Sequence, residues 1–261
     1  MNPAPHPDRR DWRRPLRYML RGPWVLGLML LAVPLALLQT RWAARRRLHG
    51  EPLDQCIVRW WCRQLLRAVG MHPRPHGAPL AGPVMLVANH SSWLDIVLLH
   101  TQRAVCFVAK AEIARWPLVG FMARRSGTIF HSRGNTDSLK HTMQAMTRRM
   151  REGRAVAAFP EGGAAHGTRL KVFHARIFQA ALDAQAPIQP VALRYSRHGR
   201  ALPELAFAPG ESFFGNALRL LGEPPLDAEA FFLEPLVDQG LGRKHLAREA
   251  RAEVAAALGL E

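Results

Sequence analysis

The chain has 261 residues, with 36 Lys+Arg against 20 Asp+Glu and a formal net charge of +16. That length suits one large domain or a domain with an appendage, and 48% hydrophobic with 21% charged residues excludes wholesale disorder and collagen-like repetition. Cys56, Cys62 and Cys106 cannot build a disulfide framework, share no metal-ligand spacing with the histidines and read as small buried apolar residues.

Residues 1–50 carry ten Arg against Asp8 and Asp11, so half of the net charge sits in the first fifth of the chain. Basic balance admits nucleic acid, anionic lipid or a polyanionic substrate as partner. Between Arg21 and Arg41 runs an uncharged stretch, Gly22 to Leu38 (GPWVLGLMLLAVPLALL). As a helix it reaches roughly 25 Å, the short end of what crosses a hydrocarbon core of ~30 Å. It reads as a spanning or re-entrant membrane helix, with Pro23 fitting a helix start and Pro34 kinking the last turns. The QTRWAARRR that follows lacks a small-x-small cleavage site, which counts against a signal peptide; a buried core helix is the remaining alternative. In Asp54 to Val69, Arg59, Arg63 and Arg67 fall on one helical stripe, with Ile57, Trp60, Trp61, Leu65 and Leu66 largely away from it. The pattern fits an interfacial helix on anionic lipid or a surface helix packed on a soluble domain. His72 to Pro83 (HPRPHGAPLAGP) is rich in Pro and Gly and reads as a linker.

From Pro83 onward, short apolar runs alternate with helical patterns. The expected strands are Val84–Ala88, Val105–Ala109, Thr128–His131, Ala155–Phe159, Ile188–Tyr195, Glu204–Ala208 and Ala230–Leu233. The expected helices are Ser92–Thr101, Ser138–Glu152 with Asp137 as N-cap, Phe173–Gln185 and Arg243–Leu258. In the second of these, Leu139, Met143, Met146 and Met150 form one face, read as core packing. The fold class that follows is α/β: a largely parallel sheet of about seven strands flanked by helices, after an N-terminal membrane-associating helical segment. The organisation is a basic anchoring segment over residues 1–70, a linker over 71–83 and an α/β domain over 84–261.

Three polar clusters directly follow expected strands: Asn89-His90-Ser91-Ser92-Trp93-Leu94-Asp95, His131-Ser132-Arg133 and Pro160-Glu161-Gly162-Gly163. If those strands are parallel, the clusters meet at the carboxyl edge of one sheet, where open α/β folds bind ligands. His90 and Asp95 are five apart, so on one helix they would point about 140° apart. His90 therefore belongs in the turn and Asp95 in the first turn of the next helix. There the carboxylate can accept from one imidazole nitrogen, fix the tautomer and leave the other nitrogen free as a base. The same spacing also fits a structural N-cap network.

Taken together, NHSSWLD, GTIFHSR (Gly127 to Arg133), FPEGG (Phe159 to Gly163) and APIQPVAL (Ala186 to Leu193) resemble, in order and spacing, the four blocks of the glycerolipid acyltransferases, above all the bacterial 1-acyl-glycerol-3-phosphate (lysophosphatidate) acyltransferases. The resemblance implies a membrane-bound O-acyltransferase that moves an acyl chain from an acyl thioester to lysophosphatidate, giving phosphatidate. His90 would be the base, Asp95 its orienting partner, Arg133 the phosphate fork, and Glu161 the acidic residue that positions the acceptor or supports its loop. Backbone amides near Gly162 are candidates for the oxyanion. The family commonly reads FPEGTRS, whereas Gly163, Ala164 and Ala165 stand in the later places here; Arg169 or Lys171 would restore positive charge from further along. The departure bears on the acceptor, and another lysolipid such as lyso-ornithine lipid is the rival. The implied partners are acyl carrier protein or coenzyme A as acyl carrier, a lysophospholipid acceptor and the cytoplasmic face of the inner membrane, with no cofactor, metal or nucleic acid. A non-catalytic basic protein has only the charge in its favour, since no nucleic-acid motif appears.

Overall fold

A computed structural model describes residues 11–48, 50–132, 134, 136–164, 169–205, 207–208 and 210–260. The leading basic and apolar stretch forms one helix, α1 (Arg14–Leu38), and after a single turn at Arg41–Arg45 comes α2 (Leu53–Ala68). Then follow β1 (Met71–His76), β2 (Met85–Ala88), α3 (Leu94–Gln102), β3 (Cys106–Lys110), α4 (Pro117–Arg125), β4 (Ile129–His131), α5 (Thr136–Arg151) and β5 (Val156–Ala158). The chain closes with α6 (Gln179–Ala184), β6 (Ile188–Arg197), β7 (Arg200–Ala201), α7 (Phe213–Leu221), β8 (Leu226–Phe232) and α8 (Gly242–Leu258).

The strands form an eight-stranded sheet in the order β1-β8-β6-β2-β5-β3-β4, with β7 hairpinned onto β6. From β6 to β4 all neighbours are parallel, whereas β8 runs antiparallel to β6 and β1 pairs parallel with β8. Alternation along each strand splits the core in two. Leu86 and Ala88 of β2 and Ala157 of β5 face the layer that contains α2 and α3. Met85, Val87, Val156 and Ala158 face α5, α6 and α8, where Met146 and Met150 from the methionine face of α5 are buried.

Several elements differ from the sequence expectation. Residues read as a linker contain β1, an edge strand in register with β8 from Met71↔Leu226 to His76↔Phe231. Pro73 and Pro75 are two apart, so their missing N–H groups share one side of the strand, and an edge strand tolerates that when the side faces outward. Pro203–Leu205 makes a 3-10 turn where a strand was expected. Only Gln179–Ala184 of the expected helix over Phe173–Gln185 is α-helical, preceded by a 3-10 turn at Ala175–Phe178. Asp137 lies inside the first turn of α5 rather than capping it. The helices α4 and α7 were not foreseen.

α1 starts at Arg14 and runs through Pro23. It is long and apolar enough to cross a membrane by length and composition, with a mean hydropathy of 1.7 over an 18-residue window of which 17% is buried. It nevertheless lies along the body of the protein. Leu28, Ala32 and Ala36, four apart on one stripe, are buried. Near its start, Arg17 donates to the Gly222 carbonyl (2.6 Å), and one nitrogen of Arg21 donates to the carbonyls of Val69, Leu221 and Glu223. At its end, Arg125 of α4 donates to the carbonyls of Ala36, Leu37 and Gln39. α2 is a packed helix too: Cys62, Leu65, Leu66 and Ala68 are buried, and the Trp61 indole donates to the Leu28 carbonyl at 3.0 Å.

Candidate active site

β2 ends where its chain must turn away from β6, and Asn89 manages that exit. Its side-chain amide takes the place of a backbone unit, donating to the Leu193 carbonyl (2.9 Å) and accepting from the Leu193 N–H (2.7 Å). His90 follows in the turn, and Asp95 sits in the first turn of α3, fully buried. His90 Nδ1 and Asp95 Oδ2 are 2.8 Å apart. The same carboxylate oxygen accepts the N–H groups of Ser91 (2.7 Å) and Ser92 (2.9 Å), and Oδ1 accepts the Tyr195 hydroxyl at 2.7 Å. A carboxylate ringed by donors can only accept, so the imidazole hydrogen belongs on Nδ1 and Nε2 carries the free lone pair. The ring is stacked on Phe159, with centroids 4.1 Å apart, which fixes its plane. Burial, followed by the neighbouring Asp95, pushes the Tyr195 hydroxyl well above the usual tyrosine range, so it stays a donor.

The turn after β5 closes over this pair. Glu161 is buried and accepts the N–H of His90 (2.8 Å) through Oε1 and that of Lys171 (3.0 Å) through Oε2. It thereby braces three loop segments. Burial raises its carboxyl above the usual glutamate range, against the pull of those two N–H groups. Gly162 adopts φ +73°, a turn conformation that suits glycine. Its own N–H donates to the Phe159 carbonyl at 3.2 Å, so it is committed within the turn and is not a free oxyanion donor.

A cavity opens in front of the imidazole, lined by Asn89, His90, Glu161, Arg169, Arg194 and Leu202. Arg169 is an exposed cation at its edge. Arg194 reaches the same cavity but is held by Glu229 in a two-pronged pair, at 2.9 Å and 3.0 Å. The Arg194 guanidinium in turn holds the Glu229 carboxyl below its usual range, helped by the Ser196 hydroxyl.

The structure thus brings His90, Asp95, Glu161, Gly162 and Arg169 to one place. Arg133 lies outside the described residues. The described residues before it, His131 and Ser132, lie at the end of β4, three strands across from β2 on the same edge, a separation on the order of 14 Å at sheet spacing. There His131 Nδ1 lies 3.1 Å from the Ser138 hydroxyl. Tyr195 and Phe159 were missed as site residues. The one available signal was the Tyr195 hydroxyl at the end of the expected strand Ile188–Tyr195.

Comparison with known proteins bears on this site. The Acyltransferase family profile matches residues 66–194. The chain is 37% identical over 247 residues to a lyso-ornithine lipid O-acyltransferase of Pseudomonas aeruginosa, covering 93% of this chain and 94% of that one. A 1-acyl-sn-glycerol-3-phosphate acyltransferase of Neisseria gonorrhoeae is 38% identical over 112 residues, covering 43% of this chain and 44% of that one. Among solved structures, the 1-acyl-sn-glycerophosphate acyltransferase of Thermotoga maritima superposes with a TM-score of 0.70 at 17% identity, covering 95% of each chain.

Proposed function

The chain belongs to the Acyltransferase family of lysolipid acyltransferases, and from that premise we propose that it transfers a fatty acyl chain from an acyl thioester to the hydroxyl of lyso-ornithine lipid. The observation that carries the chemistry is the His90–Asp95 pair opening on a cavity at the carboxyl edge of the sheet. His90 Nε2 takes the proton of the acceptor hydroxyl as its oxygen adds to the thioester carbonyl carbon. Asp95 stabilises the imidazolium that forms. Collapse of the tetrahedral adduct breaks the C–S bond, and the imidazolium returns the proton to sulfur, leaving an ester and a free thiol. No acyl-enzyme is required.

The acceptor is read from the near full-length relationship to the Pseudomonas aeruginosa protein and from the third block. Gly163, Ala164 and Ala165 bring no side-chain donor to a phosphate, whereas an ornithine headgroup presents a carboxylate and an ammonium instead. Arg169 is the cavity cation placed to meet that carboxylate. Lysophosphatidate is the second reading, favoured by the Neisseria gonorrhoeae match over less than half of the chain. The thioester comes from acyl carrier protein or coenzyme A. Because both are cytoplasmic, the protein is placed at the cytoplasmic face of the inner membrane, the outer face of α1 in lipid.

A panel of lysolipids, each offered with both donors, tests this reading by thiol release and lipid product. Lyso-ornithine lipid is expected to be acylated at least about 10-fold faster than lysophosphatidate, a gap of about 1.4 kcal/mol in transition-state stabilisation. Preference for lysophosphatidate would overturn the acceptor while leaving the chemistry in place.

A further inference from the structure

The helix α7 is amphipathic in an unusual way: every polar side chain on it turns inward. Asn216 is fully buried, accepts the Trp93 indole N–H at 2.9 Å and donates to Glu211 at 2.8 Å. Arg219 is paired with the same Glu211 at 2.8 Å. What remains outward is Phe214, 77% exposed, and Leu218, 61% exposed, one turn apart. Exposed aromatic and aliphatic side chains at this spacing call for an apolar partner.

Three helices close a frame around the Trp93 side of the active-site loop. The last residues of α7 are tied to the start of α1 through Arg17 and Arg21. Its first residue, Phe213, packs on Trp93 (5.3 Å) and on Trp116 at the head of α4 (5.2 Å). The far end of α4 is tied to the end of α1 through Arg125. The outward face of α1 is itself apolar, with Leu16, Leu20, Trp24, Leu30, Leu31 and Leu38 exposed. The apolar side chains of α7 are thus carried on a helix tied to α1 at its end.

We infer that α7 is a second membrane-docking element, inserting Phe214 and Leu218 into the same lipid surface as α1 and holding the Trp93 end of the His90 loop against the bilayer. The inference deepens the reading above, since it takes the acceptor to be a lipid held in a membrane. Two features favour a bilayer over a protein partner. The helix is tied to one apolar enough to be embedded, and the net charge of +16 suits an anionic surface. Trp93 belongs to the NHSSWLD segment, so anchoring α7 also fixes the height of His90 above the lipid.

The test uses the full chain with Leu218→Cys carrying a polarity-sensitive fluorophore in a Cys56→Ser background, since Cys62 and Cys106 are buried. The probe surface is vesicles of phosphatidylethanolamine and phosphatidylglycerol doped with a nitroxide-labelled lipid. On vesicle-bound protein the label should shift to the blue and be quenched at least 2-fold, whereas the same label at exposed Arg248 on α8 should be neither. Phe214→Ser with Leu218→Ser, both at exposed positions, should raise the apparent KM for vesicle-borne acceptor at least 5-fold. A label at 218 that stays aqueous on bound protein would overturn the inference. So would a blue shift that grows with protein concentration in the absence of vesicles, which would assign the face to a second copy. Quenching without acylation of lyso-ornithine lipid would instead leave the docking face standing and remove the acceptor reading.

Discussion

At the scale of single residues, the site depends on how Asp95 is held. Four donors from two parts of the chain converge on one buried carboxylate: Nδ1 of His90, two backbone N–H groups at the head of α3, and the Tyr195 hydroxyl. The first three come from adjacent residues. Tyr195 comes from a strand 100 positions away and makes the arrangement tertiary. Tyr195→Phe is expected to cost about 1.5–3 kcal/mol of stability, the worth of a hydrogen bond to a charged group, and to slow acyl transfer far less than loss of the imidazole. Denaturant unfolding alongside the thiol-release assay checks both parts. Unchanged stability would mean that the hydroxyl adds nothing to the hold on Asp95.

Among the elements, α7 illustrates how a short helix is defined by its polar contacts. Ser212 caps it by accepting the Gly215 N–H at 3.0 Å, and the Glu211 carboxyl is held down at about 2 by the Arg219 guanidinium. A carboxyl whose folded pKa lies below its usual 4.5 stabilises fully above that usual value and loses the contribution as pH falls toward 2. Thermal unfolding followed between those two pH values should therefore show Glu211→Gln losing Tm less steeply than the wild type; parallel slopes would contradict the assignment. Such an element is hard to read from sequence, because Asn216 looks like a helix interruption until its partner Trp93, 123 positions away, is known. The strands β2 to β6 were legible within a residue or two at most ends, since each is an apolar run bounded by turn residues. β1 was not, because Pro73 and Pro75 read as linker unless the strand is known to lie at an edge. The His90–Asp95 geometry was legible from spacing together with its place after an expected strand: five positions exclude one helix and leave a turn followed by a first helical turn, although the same spacing also fits a structural N-cap network. Residues read as flanking charge, Arg17 and Arg21, satisfy backbone carbonyls at the end of α7 instead.

For the whole molecule, the parallel part of the sheet does one thing above all: it delivers the ends of β2 and β5 side by side, so that His90 and Glu161 meet. The N-terminal helix is part of the same body rather than a tether to it, since Leu28 belongs to the core layer over α2 and α3. His90, the cavity and the exposed apolar side chains of α1 are thus carried by one packed body, which is what the proposed reaction on a membrane-held acceptor needs. The central claim is that His90 is the base of this arrangement. The most direct measurement is thiol release from an acyl thioester by purified His90→Ala with its preferred lysolipid, with near-wild-type thermal unfolding as the control for folding. A fall of about 10²- to 10⁴-fold in kcat is predicted, the usual cost of a lost positioned base, whereas a rate within a few-fold of wild type would contradict the account.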